Sequence, residues 1–599
     1  MNDFIPITPE EIKARGWDSA DIVLITPDAY VDHPSFAMAV MGRAMENAGF
    51  RVAILSQPDW RNVAEFRQFG RPNICFAVSG GNMDSMINKY THNRKIRSED
   101  DFSPGGVPGK RPDRATVVYS NMAKMAYSDV PVLLGGIEST MRRFAHYDYW
   151  ADTVKKPILL DSKADLLVYG MGEKSALEIL ARLRNGEKIS EIRDVRGTVW
   201  KAGAASLGSL PKNSVELPSW EEAAADKLKF ALMTKLIYEN LNPFCAGPLV
   251  QKADGRAVAA NPPSLPLSTE EIDAVYSLPF KRKPHPSYKK PVPAYETVRN
   301  SIIIHRGCFG GCTFCSLGYH QGKFIQSRSP ASVKKEAEKL VRENGGGTVI
   351  SDLGAPSANM YALCGRELSL CEKCRRTSCL YPGVCQNLET SHKKLLELMR
   401  ETGKVKGVKK IFIASGIRMD LALKDAEYIS EIASSHTGGY LKVAPEHTEK
   451  TALEIMNKPC PEIFLAFEKE FSKSSAKAGK EQYLIPYFIS AYPGTTLADA
   501  VNMAVFLKKH DYRPLQINDF LPAPGEYATA IYYSELDPAT LRKIHVPRKE
   551  GERKLHRALL QYFKPENVPL IAKALRLAGR SDLLAWLTRP YRGKRPGRS

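Results

Sequence analysis

The chain has 599 residues, of which 43% are hydrophobic and 25% are charged, a composition that excludes general disorder and predicts several globular domains. Lys and Arg outnumber Asp and Glu by 85 to 66, giving a formal net charge of +19. This excess favours an anionic substrate or RNA, although a basic solvated surface would produce the same count. No apolar stretch is as long as a membrane span, and the start of the chain lacks a secretion signal. We therefore expect a cytoplasmic protein with no membrane partner.

Alternating strand and helix patterns occupy residues 1–251. An apolar run at 21–26 precedes a segment at 34–50 with the apolar spacing of a helix. Further β-rich runs lie at 51–56, 74–79, 130–136 and 165–170. This alternation predicts an N-terminal α/β domain of Rossmann-like type, with a parallel, doubly wound sheet.

Residues 252–297 are rich in proline and basic residues. Proline interrupts both helices and central strands. The segment is therefore predicted to be an extended connection between domains.

Residues 298–534 return to alternating strands and helices. Ser329 is placed as the N-cap of one helix, with Pro330 in its first turn and an apolar face at Val333, Ala337 and Leu340. Six strand–helix units predict a partial (β/α)6 barrel, short of a full eight-unit barrel. The strand candidates lie at 298–304, 348–353, 409–415, 440–444, 483–490 and 514–520.

The remainder of the chain is predicted to be a helical C-terminal region at 535–587. It is followed by a basic tail at 588–599 that we expect to be disordered.

Eight of the eleven cysteines lie between Cys308 and Cys385. Without a secretion signal, this crowding indicates metal or iron–sulfur ligation rather than disulfides. Cys308, Cys312 and Cys315 form a CxxxCxxC motif directly after a predicted parallel strand, where such folds place reactive groups.

Three thiolates would hold three irons of a cubane and leave the fourth iron open. The amino and carboxylate groups of S-adenosylmethionine (SAM) can chelate that iron. Gly307, Gly310 and Gly311 suit a loop that wraps closely around a cluster. The alternative is a zinc site completed by His305 or His320.

The motif CFGGCTFCSLGYHQGK at 308–323 resembles the radical SAM superfamily, and within it the YgiQ-type proteins of the UPF0313 family. The likeness continues through ASGIRMD, LKVAPEHTEKTALEIMNKP and PYFISAYPGTTLADA. It implies a radical SAM barrel, a 4Fe–4S cluster on the three cysteines and SAM as co-substrate. It supplies no substrate.

By analogy with other radical SAM barrels, Asp352, Arg418 and Glu446 are predicted to contact SAM, and Phe314 to cover the cofactor. A surface or salt-bridged role is the alternative for the three charged residues.

A second group of cysteines lies in an insertion at 364–385. It indicates an auxiliary iron–sulfur cluster or structural zinc, with free thiols as the alternative. Its members are Cys364, Cys371, Cys374, Cys379 and Cys385.

The N-terminal domain resembles the cobalamin-binding-like domains that precede many radical SAM barrels. The DxHxxG signature is absent. The closest text is Asp32-His33-Pro34, in which no residue separates the aspartate from the histidine. The sequence therefore argues against cobalamin and for His33 as an ordinary loop residue. Two glycine pairs are predicted to serve strand-to-helix turns, with a ligand role as the alternative. These pairs are Gly135–Gly136 and Gly170–Gly172.

The predicted function is a radical SAM enzyme acting on an unknown substrate, with a reductant such as flavodoxin or ferredoxin as electron donor. A tRNA-modifying radical SAM enzyme and a noncatalytic, zinc-stabilised nucleic-acid-binding protein are the alternatives.

Overall fold

The computed structural model describes residues 4–589. The predicted disordered tail lies outside the described residues except for Thr588 and Arg589, so that prediction stands as made. No helix within the described range is long and apolar enough to cross a membrane.

The N-terminal half contains the first thirteen strands. They are β1 Ile22–Thr26, β2 Val31–Asp32, β3 Val52–Ser56, β4 Cys75–Ser79, β5 Val132–Gly135, β6 His146–Asp148, β7 Thr153–Lys155, β8 Leu166–Val168, β9 Thr198–Ala202, β10 Val215–Glu216, β11 Leu249–Ala253, β12 Arg256–Ala260 and β13 Lys283–Pro284. Its helices are α1 Pro9–Ala14, α2 Ala37–Asn47, α3 Ser85–Lys89, α4 Ala115–Ala126, α5 Gly136–Met141, α6 Ile158–Asp161, α7 Glu173–Arg184, α8 Trp220–Ala225, α9 Lys227–Glu239, α10 Thr269–Tyr276 and α11 Pro293–Val298.

The described residues form a nine-stranded sheet in the order β10-β11-β12-β9-β8-β5-β4-β1-β3. The five strands from β3 to β8 are parallel, as predicted. The chain reverses its direction of winding between β1 and β4, which creates a crevice at their carboxyl ends. The expectation of a wholly parallel sheet is wrong, because β9 pairs antiparallel with both β8 and β12.

The predicted connection at 252–297 is also wrong in part. Its first residues form a hairpin of β11 and β12 within the sheet. Asp254 and Gly255 at the turn both have positive φ, 57° and 68°, the conformation that the Asp-Gly pair favours in tight hairpins. The prediction of an extended segment from its prolines applies only to the residues after this hairpin. Even there, helix α10 forms, and a capping box of Ser268 and Glu271 stabilises its N-terminus.

The second half contains strands β14 Ser301–Ile303, β15 His305–Arg306, β16 Gln326–Ser327, β17 Thr348–Ile350, β18 Asp352–Gly354, β19 Val408–Ile411, β20 Tyr440–Glu446, β21 Tyr483–Ser490 and β22 Asn518–Asp519. Its helices are α12 Leu317–Gln321, α13 Pro330–Glu343, α14 Leu368–Lys373, α15 Lys393–Gly403, α16 Met419–Ala422, α17 Ala426–Glu431, α18 Lys450–Met456, α19 Pro461–Lys477, α20 Leu497–Lys509, α21 Tyr527–Ser534, α22 Glu550–Leu560, α23 Val568–Leu577 and α24 Leu584–Thr588.

Each of the six predicted barrel strands is present, although most are shorter than expected. They form parallel pairs, β14 with β18, β17 with β19, and β20 with β21, which also pairs with β22. Ser329 caps α13 by accepting from Ser332 N at 3.1 Å, as predicted.

The two halves share one hydrophobic core. Tyr532 packs against Tyr147 and Tyr149 of the N-terminal half and against Phe520 of the second half, with ring centroids 5.9–6.1 Å apart. Each such pair contributes about 1 kcal/mol beyond the burial of its area. This packing joins β6 and the residue that follows it to α21 and the end of β22.

Candidate functional site

The CxxxCxxC loop begins at the end of β15 and returns through α12 to β16. Cys308 N donates to Gly322 O at 3.0 Å, and Cys315 N donates to Cys312 O at 3.2 Å. The Gln321 side chain accepts from Gly307 N at 3.0 Å. These bonds fold the loop so that all three cysteines line one cavity of about 800 Å³.

The pKa values of two of the thiols depend on their neighbours. Burial raises the pKa of Cys308 and of Cys315, and Cys312 raises both further. Among residues 4–589, no three His, Cys, Asp or Glu side chains converge as ligands of a single metal ion. A cubane needs no such convergence, because each thiolate binds a different iron. Neighbouring, half-buried thiols around one cavity fit that group.

Two glycines allow the loop to pack this closely. Gly307 has a φ of +87°, and a Cβ there would lie 2.2 Å from Phe324 O. Gly311 has a φ of +64°, and a Cβ there would lie 2.6 Å from Ser378 Cβ. Both positions require glycine for conformation and for space.

The two histidines of the zinc alternative have other partners. His305 Nε2 lies 3.0 Å from Ser357 O, and His320 Nδ1 lies 3.0 Å from Thr140 Oγ1. Burial lowers the pKa of each imidazole to about 4. The structure therefore uses both as neutral, hydrogen-bonded side chains.

Arg418 and Glu446 lie beside the cysteines. Arg418 Nη1 is 3.5 Å from Cys312 Sγ, and Arg418 Nη2 donates to Asp420 Oδ2 at 2.6 Å. Glu446 is buried with a φ of +69°, 3.8 Å from Lys458 Nζ. Its burial raises its pKa, against the opposing charges of Lys458 and Arg418. The structure thus forms a buried charged cluster against the thiols.

Sequence reasoning missed Asp420 and Lys458, which complete this cluster. Asp420 lies two residues after Arg418 in the sequence RMD, so an acidic partner for this arginine was visible in the sequence. Lys458 lies two residues after the end of α18 and reaches Glu446 only through the tertiary fold, so it carried no local signal.

Asp352 and Phe314 are not part of the charged cluster around Arg418. Asp352 accepts from the backbone N of Ala414 at 2.7 Å and of Ser415 at 3.0 Å, which ties β18 to the loop after β19. The half-buried Phe314 packs edge-to-face against Tyr492, with centroids 6.0 Å apart. Asp352 borders a second cavity, and Phe314 belongs to the shared hydrophobic core.

The second cavity, of about 610 Å³, lies where the carboxyl ends of strands from both halves face each other. Both glycine pairs line this cavity. This placement fits the ligand role that was the alternative to a plain turn. The wall also includes a buried ion pair between Glu173 and Arg306. Helix α12 lies between this cavity and the cysteine cavity, contributing to both. The glycines concerned are Gly135, Gly136, Gly170 and Gly172.

His33 is fully buried rather than in an open loop. Its Nδ1 accepts from Ser35 N at 3.1 Å, and its ring packs against Phe36 and Tyr295. His33 lies in the loop between β2 and α2, and the expectation of an ordinary histidine without a ligand stays a prediction.

The auxiliary cysteines cover the first loop. Cys379 N donates to Phe309 O at 3.0 Å, and Ser378 Oγ donates to Gly310 O at 2.8 Å. Residues 375–378 and 381–382 of the insertion thereby line the cysteine cavity.

Comparison with known families agrees with this architecture. Residues 4–301 match the family model "Radical SAM N-terminal", and residues 515–589 match a domain of unknown function, DUF3362. The chain is therefore a radical SAM protein with an α/β fold.

Relatives define the family more closely. A UPF0313 protein of Methanocella arvoryzae is 46% identical, covering 99% of this chain and 100% of the relative. The UPF0313 protein YgiQ of Escherichia coli K12 is 46% identical, covering 97% of this chain and 87% of the relative. The chain belongs to the UPF0313 family, as the motif resemblance implied.

Solved structures show more distant likeness. The radical SAM methyltransferase TsrM from Kitasatospora setae, solved with cobalamin and a [4Fe–4S] cluster, matches with a TM-score of 0.48 and 13% identity, over 85% of this chain and 77% of TsrM. The cobalamin-dependent enzyme OxsB matches with a TM-score of 0.45 and 9% identity, over 86% of this chain and 55% of OxsB. The expectation that this chain lacks cobalamin is not supported by these matches and stays a prediction.

Proposed function

We propose that this chain is a radical SAM enzyme whose cluster is held by Cys308, Cys312 and Cys315. The observation that carries the proposal is that the three half-buried cysteines of the family motif line one cavity, where Cys312 raises the pKa of both Cys308 and Cys315. When bound, a 4Fe–4S cluster with SAM supplies an electron that cleaves a carbon–sulfur bond of SAM and generates a 5′-deoxyadenosyl radical.

In this proposal the chain's own residues bind the cluster and orient SAM. The three thiolates hold the cluster, and Arg418 places a positive charge against Cys312 that offsets part of their negative charge. Glu446 and Lys458, a buried pair whose charges act on Arg418 and Cys308, offer polar groups for the amino and carboxylate groups of SAM.

We further propose an anionic substrate for the cysteine cavity. Six cationic side chains line it, against the acidic Glu239, Glu454 and Asp537. A cationic excess in a cleft raises the local concentration of anionic ligands and steers them inward. The six are Lys235, Lys323, Arg375, Arg376, Arg542 and Lys543.

Anaerobic reconstitution tests the reaction. With SAM and dithionite, the wild-type chain should release 5′-deoxyadenosine, and Cys312→Ser should release none. Cys460→Ser, at an exposed thiol outside both cysteine groups, is the matched control and should behave as wild type. Zinc without iron in the reconstituted protein, together with no 5′-deoxyadenosine, would overturn the proposal.

Binding of a fluorescent oligoribonucleotide tests the substrate class. Affinity should fall as salt rises, since phosphate contacts release counterions, and Arg375→Gln/Arg542→Gln should reduce both affinity and salt slope. Arg61→Gln, at an exposed arginine paired with Asp59, should leave both unchanged. If both variants bind the oligoribonucleotide equally well, the cysteine cavity is not the anion-binding site.

A further inference from the structure

One face of strand β20 is open to solvent. Tyr440 and Lys442 are exposed. Leu441 and Val443 alternate with them and are buried in the hydrophobic core of the second half. Parallel strands of α/β proteins are usually buried on both faces and read as continuous apolar runs. The alternation in YLKVA therefore indicates a face that stays open within the described residues.

The neighbouring strand β21 continues this open face. Tyr483 pairs with Tyr440, and their ring centroids lie 6.2 Å apart. Tyr483 is half-buried, while the next residue, Leu484, is buried in the same core as Leu441. Because paired residues of adjacent strands point to the same side of a sheet, the two tyrosine rings stand together on the open side.

Strands β17 and β19 extend the face on the other side of β20. Lys410 pairs with Val349, which is 37% exposed. The Nζ of Lys410 lies 5.9 Å from the ring centroid of Phe412. A Cβ on Gly438 would lie 3.1 Å from Phe412 Cε1, and Gly438 precedes Tyr440 by two residues. Phe412 therefore borders both the lysine and the start of β20.

Positive charge surrounds the three rings. Four exposed lysines lie on β19 and β20 or in the residues just before β19. The acidic Glu481 accepts from the Tyr483 hydroxyl and offsets part of this charge. The lysines outnumber this carboxylate, so the face attracts polyanions. They are Lys406, Lys409, Lys410 and Lys442.

Exposed rings between lysines match the chemistry of single-stranded nucleic acid. Each unpaired base offers a π-face that stacks on an aromatic ring, whatever the base, and each phosphate attracts an ammonium group. A duplex keeps its base faces within its own stack, so the rings cannot reach them. An acidic peptide would engage the lysines alone. The combination of rings and cations therefore selects for single strands.

We infer that the aromatic face, defined as Phe412, Tyr440, Tyr483 and the four lysines around them, binds single-stranded nucleic acid. Bases stack on the rings and phosphates pair with the ammonium groups. Tyr440 begins β20, and Glu446, beside the proposed cluster site, ends it. The strand between them spans about 20 Å. The aromatic face is thus separate from the cysteine cavity and independent of the proposed reaction.

Fluorescence anisotropy with a labelled oligouridylate of about twelve nucleotides tests the aromatic face. The background is full-length Arg375→Gln/Arg542→Gln, which lacks two cations of the cysteine cavity. Adding Tyr440→Ala should weaken binding at least fivefold, whereas Tyr440→Phe, which keeps the ring, should bind as the background does. Lys442→Gln should reduce the salt slope by about 0.7. Trp586→Leu, at an exposed aromatic residue of α24, is the control and should change nothing.

Three results of this titration would overturn the inference. They are absence of binding in the background chain, background affinity in Tyr440→Ala, and a loss in Tyr440→Phe equal to that in Tyr440→Ala. The last result would mean that the hydroxyl, and not the ring, makes the contact.

Ultraviolet cross-linking of the unmutated chain avoids any folding defect of the variants. Oligouridylate should form adducts on the peptides that contain Tyr440 and Tyr483, as mapped by mass spectrometry. Duplex RNA and polyglutamate should compete at least tenfold less well than the single strand. Oligodeoxythymidylate separates the two backbones, and the tighter competitor identifies the source. Adducts confined to other peptides, or equal competition by duplex or polyglutamate, would overturn the inference, whether or not the chain produces 5′-deoxyadenosine.

Discussion

Arg418 Nη1 lies 3.5 Å from Cys312 Sγ, while Nε and Nη2 of the same guanidinium hold Asp420 at 3.0 and 2.6 Å. One buried cation thus joins a proposed cluster ligand to a carboxylate. Because the carboxylate fixes the guanidinium, its charge stays directed at the sulfur.

Arg418→Met should lower the reduction potential of the reconstituted cluster by on the order of tens of millivolts, because a nearby positive charge stabilises the more negative, reduced state. Redox titration followed by electron paramagnetic resonance measures the shift. Arg418→Met/Asp420→Asn removes the stranded carboxylate and serves as a folding control. Arg400→Met, at an exposed arginine paired with Glu427, should keep the wild-type potential. An unchanged potential in Arg418→Met would contradict this role.

Gly311→Ala should sharply reduce iron incorporation and stability. Its Cβ would lie 2.6 Å from Ser378 Cβ and 2.8 Å from Thr377 O, in addition to the cost of a φ of +64°. Gly322→Ala has a φ of +83° and a ψ of 168° but no neighbour within 4 Å, so it should lose about 1–3 kcal/mol from backbone strain alone. Iron content and denaturant midpoints separate the two. Equal losses would mean that conformation alone, and not the packing of the insertion, constrains the loop.

Glu173→Gln should destabilise the junction of the two halves by about 3–5 kcal/mol, because it strands the buried Arg306 charge. Arg306 keeps only the Tyr276 hydroxyl, 3.1 Å from its Nε, as a polar partner. Glu173→Gln/Arg306→Met should recover part of the loss. Glu187→Gln, in an exposed pair with Arg182, should have little effect. Urea unfolding curves give the comparison, and a silent Glu173→Gln would show that the pair does not hold the halves together.

His556 should make the protein acid-sensitive. It is buried in α22, and burial lowers its pKa to about 4. Below the unfolded pKa of about 6.5, the unfolded chain binds a proton that the folded chain does not, so stability falls as pH decreases from 6.5 towards 4. The loss reaches about 2 kcal/mol at pH 5.

His556→Phe should therefore lose less stability than wild type between pH 7.5 and pH 5, as measured by denaturant midpoints at both values. His545→Gln alters a nearby, half-exposed histidine and is the control. Wild-type acid sensitivity in His556→Phe would show that other groups govern the response.

The alternation of apolar runs and helical faces was enough to predict the five parallel strands of the N-terminal sheet, the six strands of the barrel and the cap of α13. These features depend on periodicities within a few neighbouring residues. The pair Asp254–Gly255 is a turn signal that indicates the β11–β12 hairpin. The sequence analysis missed this hairpin because it interpreted the whole segment from its proline content.

The spacing of Cys308, Cys312 and Cys315 by itself determined the class of chemistry to expect, because adjacent residues in one loop must stay together however the chain folds. Only the tertiary structure decided that Arg418 lies against Cys312, and that Asp352 borders another cavity. Contacts between residues distant in the chain depend on how whole elements pack, and no local pattern encodes that packing.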